Sequence, residues 1–354
     1  MFAAGLFAGA SLVAHYASAL CAAPRPRAPG LPPGPVSLII PLCGVEPFSY
    51  ETLRAALRLD GQYEILFCVA DATDDVVPLV REAMWRTPNT PARLLIGDVA
   101  GYVNPKLRNM ARGYAEARHP WVAFVDSNVL MPRDYLTRLF GAWTSGTGAV
   151  TAPAVGSRPR GFGASLECAF LNTYQARWQF AASAAGLGFA QGKCLFVRRD
   201  LFEGGGGINA FASEPAEDAA LTKLVRDLNL KVRVAARASD QPLGPRDVRA
   251  VWARQVRWAR LRRSTFAWAF APEIATSGLL TAALAAFGVG PWYGLGAAAL
   301  WYAIEIALAV EAGWPVTLLT LPALIARDAM LPVLWISGWL GNGFEWRGNA
   351  LSVS

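Results

Sequence analysis

The chain has 354 residues, of which 54% are hydrophobic and only 17% charged, and its formal net charge is +7. So few charges argue against a purely soluble protein and point to membrane-embedded parts, and the basic excess suits an anionic membrane surface as well as a nucleic acid. Two histidines exclude a histidine-built zinc site, and five cysteines without a Cys-x-x-Cys pair argue against a disulfide framework, so any bound metal must be held by oxygens.

Phe2 to Ala23 is almost unbroken apolar sequence, long enough to span a bilayer as a helix. Its basic flank, Arg25 and Arg27, follows it, unlike that of a cleaved signal peptide. By the positive-inside rule, residues 1–23 form an N-terminal anchor and the chain beyond stays in the cytoplasm. Residues 24–35 hold six prolines and read as a stiff linker.

From Val36 the sequence VSLIIPL reads as a strand ending at Pro41, and Glu51 to Leu59 has helical spacing. Glu64 to Ala70 is a second buried strand, ending on Asp71. An amphipathic stretch, Val76 to Trp85, leads to a third strand at Ala92 to Ile96 and then to a helix at Leu107 to Ala117. Trp121 to Val125 is a further buried strand that runs into Asp126-Ser127-Asn128. Strands alternating with helices about every 30 residues specify a parallel sheet of nucleotide-binding type, whose ligands collect at the carboxyl ends of the strands. Asp71 and Asp126 stand at two such ends. Taken alone, Asp126 is more readily the cap of a turn than a metal ligand. No Gly-x-Gly-x-x-Gly follows the first strand, which argues against a dinucleotide dehydrogenase.

The next part is less regular. Gly192-Lys193 precedes a strand at Cys194 to Val197, and the glycine-rich Glu203 to Gly207 lacks the Gly-Lys-Ser/Thr ending of a P-loop. Ala216-Glu217-Asp218 opens a helix at Ala219 to Leu228, where acids serve either the helix dipole or a site. Val248 to Arg263 is rich in Arg and Trp, suited to lipid headgroups or to a diphosphate. Ile274 to Val289 and Trp292 to Val310 read as a hairpin of two membrane passes. Val316 to Leu340 carries Arg327-Asp328 between Pro322 and Pro332, so it is expected to be kinked, interfacial or re-entrant, or to pair these charges inside a bundle.

In order, Asp71, Asp126, Glu217-Asp218 and Arg254-x-x-Arg257-Trp258 resemble the carboxylates and (Gln/Arg)-x-x-Arg-Trp motif of inverting GT-A glycosyltransferases of family 2 and their relatives. Asn104-Pro105-Lys106 with Asn109, Phe124 to Asn128, Gly192 to Leu195, Arg198-Arg199-Asp200 and Ala216-Glu217-Asp218 are similar, more narrowly, to the ceramide glucosyltransferases of family 21. The resemblance covers Val36 to Leu261. It implies an α/β GT-A (Rossmann-like) catalytic domain over 36–265, between the anchor and a C-terminal region of transmembrane or interfacial helices over 266–354. The activity it implies is inverting transfer of glucose from UDP-glucose to the primary hydroxyl of ceramide. Asp71, Lys106, Asp126 and Glu217 would bind the nucleotide-sugar, Asp126 through a divalent cation, Mg²⁺ or Mn²⁺. Asp218 would be the catalytic base, and Arg254, Arg257 and Trp258 would meet the diphosphate and the acceptor. The tail, Glu345 to Gly348, resembles a short motif returned to the cytosolic site. The implied partners are a UDP-sugar and a membrane lipid, with no nucleic acid, at a bacterial inner membrane with the catalytic domain facing the cytoplasm.

Two departures qualify the resemblance. The metal motif is Asp-Ser-Asn rather than Asp-x-Asp, so Asn128 offers only a neutral oxygen. Gln175-Ala176 stands where animal members carry His-Pro. These leave open glucuronic acid, galactose or N-acetylglucosamine as the sugar, and a hopanoid or other lipid alcohol as the acceptor. A processive polysaccharide synthase of the same fold would need more spanning helices. A non-catalytic nucleotide-binding membrane protein would show no UDP-sugar hydrolysis that Asp218→Asn abolishes.

Overall fold

The structure, a computed structural model, describes residues 1–24, 31–346 and 349–352. Arg25 and Arg27, and Arg347-Gly348 of the tail motif, lie outside the described residues. By its internal contacts the chain divides into two compact units. One comprises Pro24–Val155 and Ala182–Pro242, the other Met1–Ala23, Gly156–Ala181 and Leu243–Ser354. The five cysteines are unpaired.

In chain order the strands up to Pro245 are β1 (Val36–Leu42), β2 (Tyr63–Val69), β3 (Ala92–Ile96), β4 (Trp121–Val125), β5 (Thr147–Thr151), β6 (Ala154–Arg160), β7 (Cys194–Arg198), β8 (Lys231–Val234) and β9 (Ser239–Pro245). The first unit is built on a seven-stranded sheet of order β3-β2-β1-β4-β7-β5-β8. β3, β2, β1 and β4 run parallel, β7 enters antiparallel to both β4 and β5, and β8 is parallel to β5. Alternation puts Leu38, Ile40, Phe67 and Val69 into the core on one face, and Ile39, Leu66 and Cys68 on the other with Leu107 and Met110. The helix Pro105–Glu116 lies close to this second face because position 113 has no side chain. A Cβ there would stand 2.6 Å from Ile39 Cγ2 and 2.7 Å from Cys68 Sγ.

The expected alternation from Val36 to Val125 is present, with ends shifted by a few residues: the helix read from Glu51 is Ser49–Ala56, and that read from Leu107 starts at Pro105. β5, β8 and β9 were not legible as strands. Thr147-Gly148, the charges Lys231 and Arg233, and the polar Ser239-Asp240-Gln241 break the apolar runs that mark a buried strand.

The second unit is helical. Three of its helices, Phe2–Ala22, Pro291–Glu311 and Thr320–Leu340, are each long and apolar enough to cross a membrane, and Ala267–Thr276 with Gly278–Gly288 forms a further apolar pair bent by 61°. The first arm of the expected hairpin is therefore broken near Ser277. The stretch expected to be interfacial or re-entrant is one helix that holds Pro332 in its interior. A six-residue π-helix, Leu171–Ala176, interrupts the helical run from Phe162 to Ala184. Strands β10 (Gly343–Trp346) and β11 (Asn349–Ser352) pair antiparallel.

Arg327 and Asp328 are fully buried in this unit, and the charges are not alone. Arg327 donates two bonds to the Glu305 carboxylate, at 2.8 and 2.9 Å, and two to Asp328 Oδ1, at 2.9 and 2.6 Å. Asp328 Oδ2 accepts from the Gly278 amide at 2.7 Å and the Tyr302 hydroxyl at 3.2 Å. Thr173 donates to Glu305 at 2.8 Å, and Arg177 donates to His15 Nδ1 at 2.7 Å and to Ser18 at 2.6 Å. A guanidinium has no acceptor to offer, so His15 Nδ1 must be the bare nitrogen. The ring is then a neutral Nε2–H tautomer, donating to the Trp301 carbonyl at 3.1 Å.

Candidate active site

The site forms in the first unit, where two strand ends and two helix N-termini meet. Antiparallel pairing sets Val125 of β4 opposite Cys194 of β7, so the next residue on β4, Asp126, faces the preceding residue on β7, Lys193. The Asp126 amide donates to the Lys193 carbonyl at 3.2 Å. Asn104 caps the helix Pro105–Glu116, its side chain accepting from the Lys106 amide at 2.9 Å, with Pro105 in the first turn. That cap aims Lys106 inward. Glu217 and Asp218 open the helix Glu217–Asp227, two residues earlier than expected.

Lys106 is the hub. Its ammonium is 2.5 Å from Asp126 Oδ1 and 2.6 Å from Glu217 Oε1, and it donates to the Gly192 carbonyl at 2.9 Å. An ammonium has three N–H groups, and these contacts use all three. Burial alone would lower its pKa, but Asp126 and Glu217 outweigh burial and hold Lys106 above the ordinary lysine range. Asp126 shows the converse: burial would raise it, yet Lys106 and Lys193 together keep its carboxyl well below the usual carboxylate range. Glu217 is buried, and its other oxygen accepts from Asn104 Nδ2 at 2.9 Å.

Asp218 differs. Burial, then the neighbouring Glu217 charge, pushes its pKa up to about 6, against the lowering pull of Lys106 and of backbone N–H bonds. Those bonds come from the Gly192 amide to Oδ2 at 2.9 Å and from the Ala219 amide to Oδ1 at 2.8 Å. Each oxygen keeps a lone pair, so the carboxylate is oriented and can still accept a proton. A Cβ on Gly192 would come within 2.9 Å of Glu217 Oε1, 3.5 Å of Lys106 Nζ and 3.6 Å of Asp218 Oδ2. Glycine is what lets the β7 entry sit against this cluster.

The structure thus brings together Lys106, Asp126, Glu217 and Asp218. Asp71, after β2, is exposed, and its carboxylate accepts from the Thr73 amide and hydroxyl, both at 2.8 Å, which hold it below the usual range. It shares the strand-end edge of the sheet but no contact with the cluster is described. Arg254, Arg257 and Trp258 belong to the other unit, on the helix Val248–Thr265. There Arg254 is ion-paired with the buried Glu167, which Arg246 also approaches at 3.5 Å, and Trp258 packs on Ala164, Cys168, Leu171 and Leu243. The sequence by itself assigns no role to Lys193, Asn104 or Gly192. The β4–β7 register that makes Lys193 a site residue is a pairing between distant segments, which a strand-by-strand reading does not supply.

Among the described residues no group of three or more His, Cys, Asp or Glu is disposed to hold a metal ion. An Asp-Ser-Asn end can still take one, because Asp126 Oδ2 and Asn128 Oδ1 already hold a stand-in cation. Lys193 Nζ lies 3.0 Å from the first and 2.9 Å from the second. One carboxylate and one amide oxygen suit a cation that completes its coordination with phosphate and water.

The sequence model of the family described as glycosyl transferase family 21 matches residues 2–354. Ceramide glucosyltransferase 1 of Caenorhabditis elegans is 27% identical over 243 residues, 68% of this chain and 51% of that protein. A ceramide glucosyltransferase of Gibberella zeae is 30% identical over 115 residues, 29% of this chain and 22% of its own length. The chain thus spans about half the length, or less, of these curated relatives. In fold it is similar to a mannosyltransferase from Pyrobaculum calidifontis, solved with GDP-mannose and Mn²⁺, with a TM-score of 0.52 at 19% identity, over 95% of this chain and 99% of that one. The fold is that of the GT-A glycosyltransferases, and the chain belongs to glycosyl transferase family 21.

Proposed function

We propose that this protein is an inverting membrane glycosyltransferase that moves glucose from UDP-glucose to the primary hydroxyl of ceramide, giving a β-glycosylceramide. The observation that carries the reading is Asp218: a carboxylate pushed up to about 6, fixed by two backbone amides beside Lys106 and Asp126. A base with a pKa near 6 is ionised at neutral pH yet can still accept the hydroxyl proton as attack proceeds. Asp126 and Asn128 would hold the divalent cation, Mg²⁺ or Mn²⁺, which when bound neutralises charge on the leaving diphosphate. Lys106 fixes Asp126 and Glu217 in place, so the cluster is ordered before the donor arrives. Asp71 is assigned to the nucleoside, and Arg254, Arg257 and Trp258 to the diphosphate and acceptor, as their family motif implies.

The protein is placed in a bacterial inner membrane, with residues 1–23 as anchor, 36–265 as the cytoplasmic catalytic domain and 266–354 as a C-terminal membrane region. The likeness to ceramide glucosyltransferases supports ceramide over other lipid alcohols. The test is to incubate purified full-length protein in ceramide vesicles with UDP-glucose and Mn²⁺, then identify the product by mass spectrometry and its anomer by NMR. β-Glucosylceramide is expected. Transfer only from another UDP-sugar, or only to a hopanoid or other alcohol, replaces the substrate assignment, and an α-anomer overturns the inverting mechanism.

A further inference from the structure

Lys193 is chelated as a metal would be. Its ammonium bridges Asp126 Oδ2 and Asn128 Oδ1, and the orientation of that amide is fixed from behind, since Asn128 Nδ2 faces Glu46 Oε1 at 3.4 Å. Asn128 therefore presents oxygen, not N–H, to the cation seat. The two lysines on Asp126 are not equivalent. Lys106 has all three N–H groups committed to acceptors of the cluster, whereas Lys193 makes two such contacts among the described residues, to Asp126 and Asn128. Lysine carries its charge on a flexible four-carbon stem, so the ammonium can exchange one anion for another nearby. A divalent ion entering the seat while Lys193 occupies it would meet a unit positive charge a few ångströms away, an arrangement costing far more than thermal energy in a partly buried site.

We propose that Lys193 and the divalent cation share one seat, and that the donor's diphosphate decides which of them holds it. Without donor, Lys193 occupies the Asp126–Asn128 oxygens. With donor, the diphosphate gives the ammonium a second anion and leaves the oxygens to the metal, so that metal and nucleotide load together. Lys193 then has two tasks: it keeps Asp126 neutralised in the empty enzyme and becomes a diphosphate ligand in the loaded one. Linkage requires the coupling to be mutual, with Mn²⁺ tightening UDP by the same factor as UDP tightens Mn²⁺. This inference rests on the proposed function, since it requires a nucleoside diphosphate at the site.

The test is Mn²⁺ binding to full-length protein in detergent, followed by electron paramagnetic resonance with and without UDP, for wild type, Lys193→Gln and Asp126→Asn. Wild type is expected to bind Mn²⁺ weakly alone and more tightly with UDP. Lys193→Gln should bind Mn²⁺ without UDP about tenfold more tightly than wild type or better, a conservative figure for removing one charge at that range. The gain on adding UDP should shrink in that variant, and Asp126→Asn should bind Mn²⁺ poorly in every state. If the glutamine variant fails to fold, Lys193→Met, close in length and uncharged, takes its place. Equal Mn²⁺ affinity of wild type and either Lys193 variant in the absence of UDP overturns the shared seat. Failure of wild type to bind UDP at all, with or without Mn²⁺, would instead remove the nucleotide-sugar reading itself.

Discussion

Two carboxylates of the cluster, carried by different elements, are driven in opposite directions by their neighbours. Asp126 faces two ammonium groups and stays ionised at any working pH, whereas Asp218 adjoins Glu217 and is pushed up to about 6. That division assigns the permanent anion to cation binding and the titrating one to proton transfer. Asp126→Ala should abolish transfer and weaken Mn²⁺-dependent UDP binding, read by calorimetry; unchanged UDP and Mn²⁺ affinity would take Asp126 out of the cation site. Asp218→Asn should leave UDP affinity nearly intact while transfer falls by roughly 10²–10⁴, the usual share of general-base catalysis. The pH dependence has a definite sign. The base must be deprotonated, so kcat/KM, which reports the free enzyme, should be level above about pH 6 and fall about tenfold per pH unit below it. A wild-type profile flat from pH 7 down to pH 5 would mean that a different group takes the proton.

At the scale of elements, the site depends on one antiparallel strand inserted beside a parallel sheet. β4 and β7 run in opposite directions, so the end of one lies beside the start of the other, and their register brings Asp126 and Lys193 together. Gly192 is the tightest point of that junction. Gly192→Ala should displace the Glu217 carboxylate, whose Oε1 would stand 2.9 Å from the new Cβ, by a few tenths of an ångström and, through its bond to Lys106, reduce kcat by roughly 10-fold, the cost of a small misplacement at a reacting centre. UDP affinity and kcat measured together check this: full activity would show that the cluster relaxes around the added methyl. The same elements show what was legible in the sequence. Unbroken runs such as Glu64 to Ala70 and Trp121 to Val125 announce buried parallel strands, and the acids after them follow by counting. Lys106 is legible only through its motif, because its role as hub requires Asp126, Gly192 and Glu217 to converge from three separate segments. Lys193 stands in that motif with no task that the sequence shows, since antiparallel register is not written in either strand alone.

At the scale of the molecule, the helical unit is held by charges that no bilayer-facing helix could carry singly. Arg327, Glu305, Asp328, Arg177 and His15 come from four separate helical segments, each buried and each hydrogen-bonded within the unit, though Arg177 Nη2 only approaches Glu305, at 3.9 Å. Arg327→Ala should cost about 3–5 kcal/mol, because it leaves Glu305 and Asp328 buried without their counter-ion. The unfolding midpoint of the detergent-solubilised protein measures it, and a midpoint within a degree or two of wild type would show that water reaches the cluster. The sequence announced the Arg327-Asp328 pair but not its partners, for Glu305 and His15 sit alone in apolar runs where nothing local says which way they face.

The hydrogen bonds of His15 carry a practical consequence for anyone preparing this enzyme. The first helix is tied to Trp301 and Arg177, residues 286 and 162 positions further along the chain. Removing residues 1–23 to obtain a soluble version would strip Arg177 of two acceptors and uncover the Trp301 ring on which His15 stacks. The leading segment is thus no detachable tether but a packed piece of the helical unit, and a shortened protein should aggregate where the intact one does not.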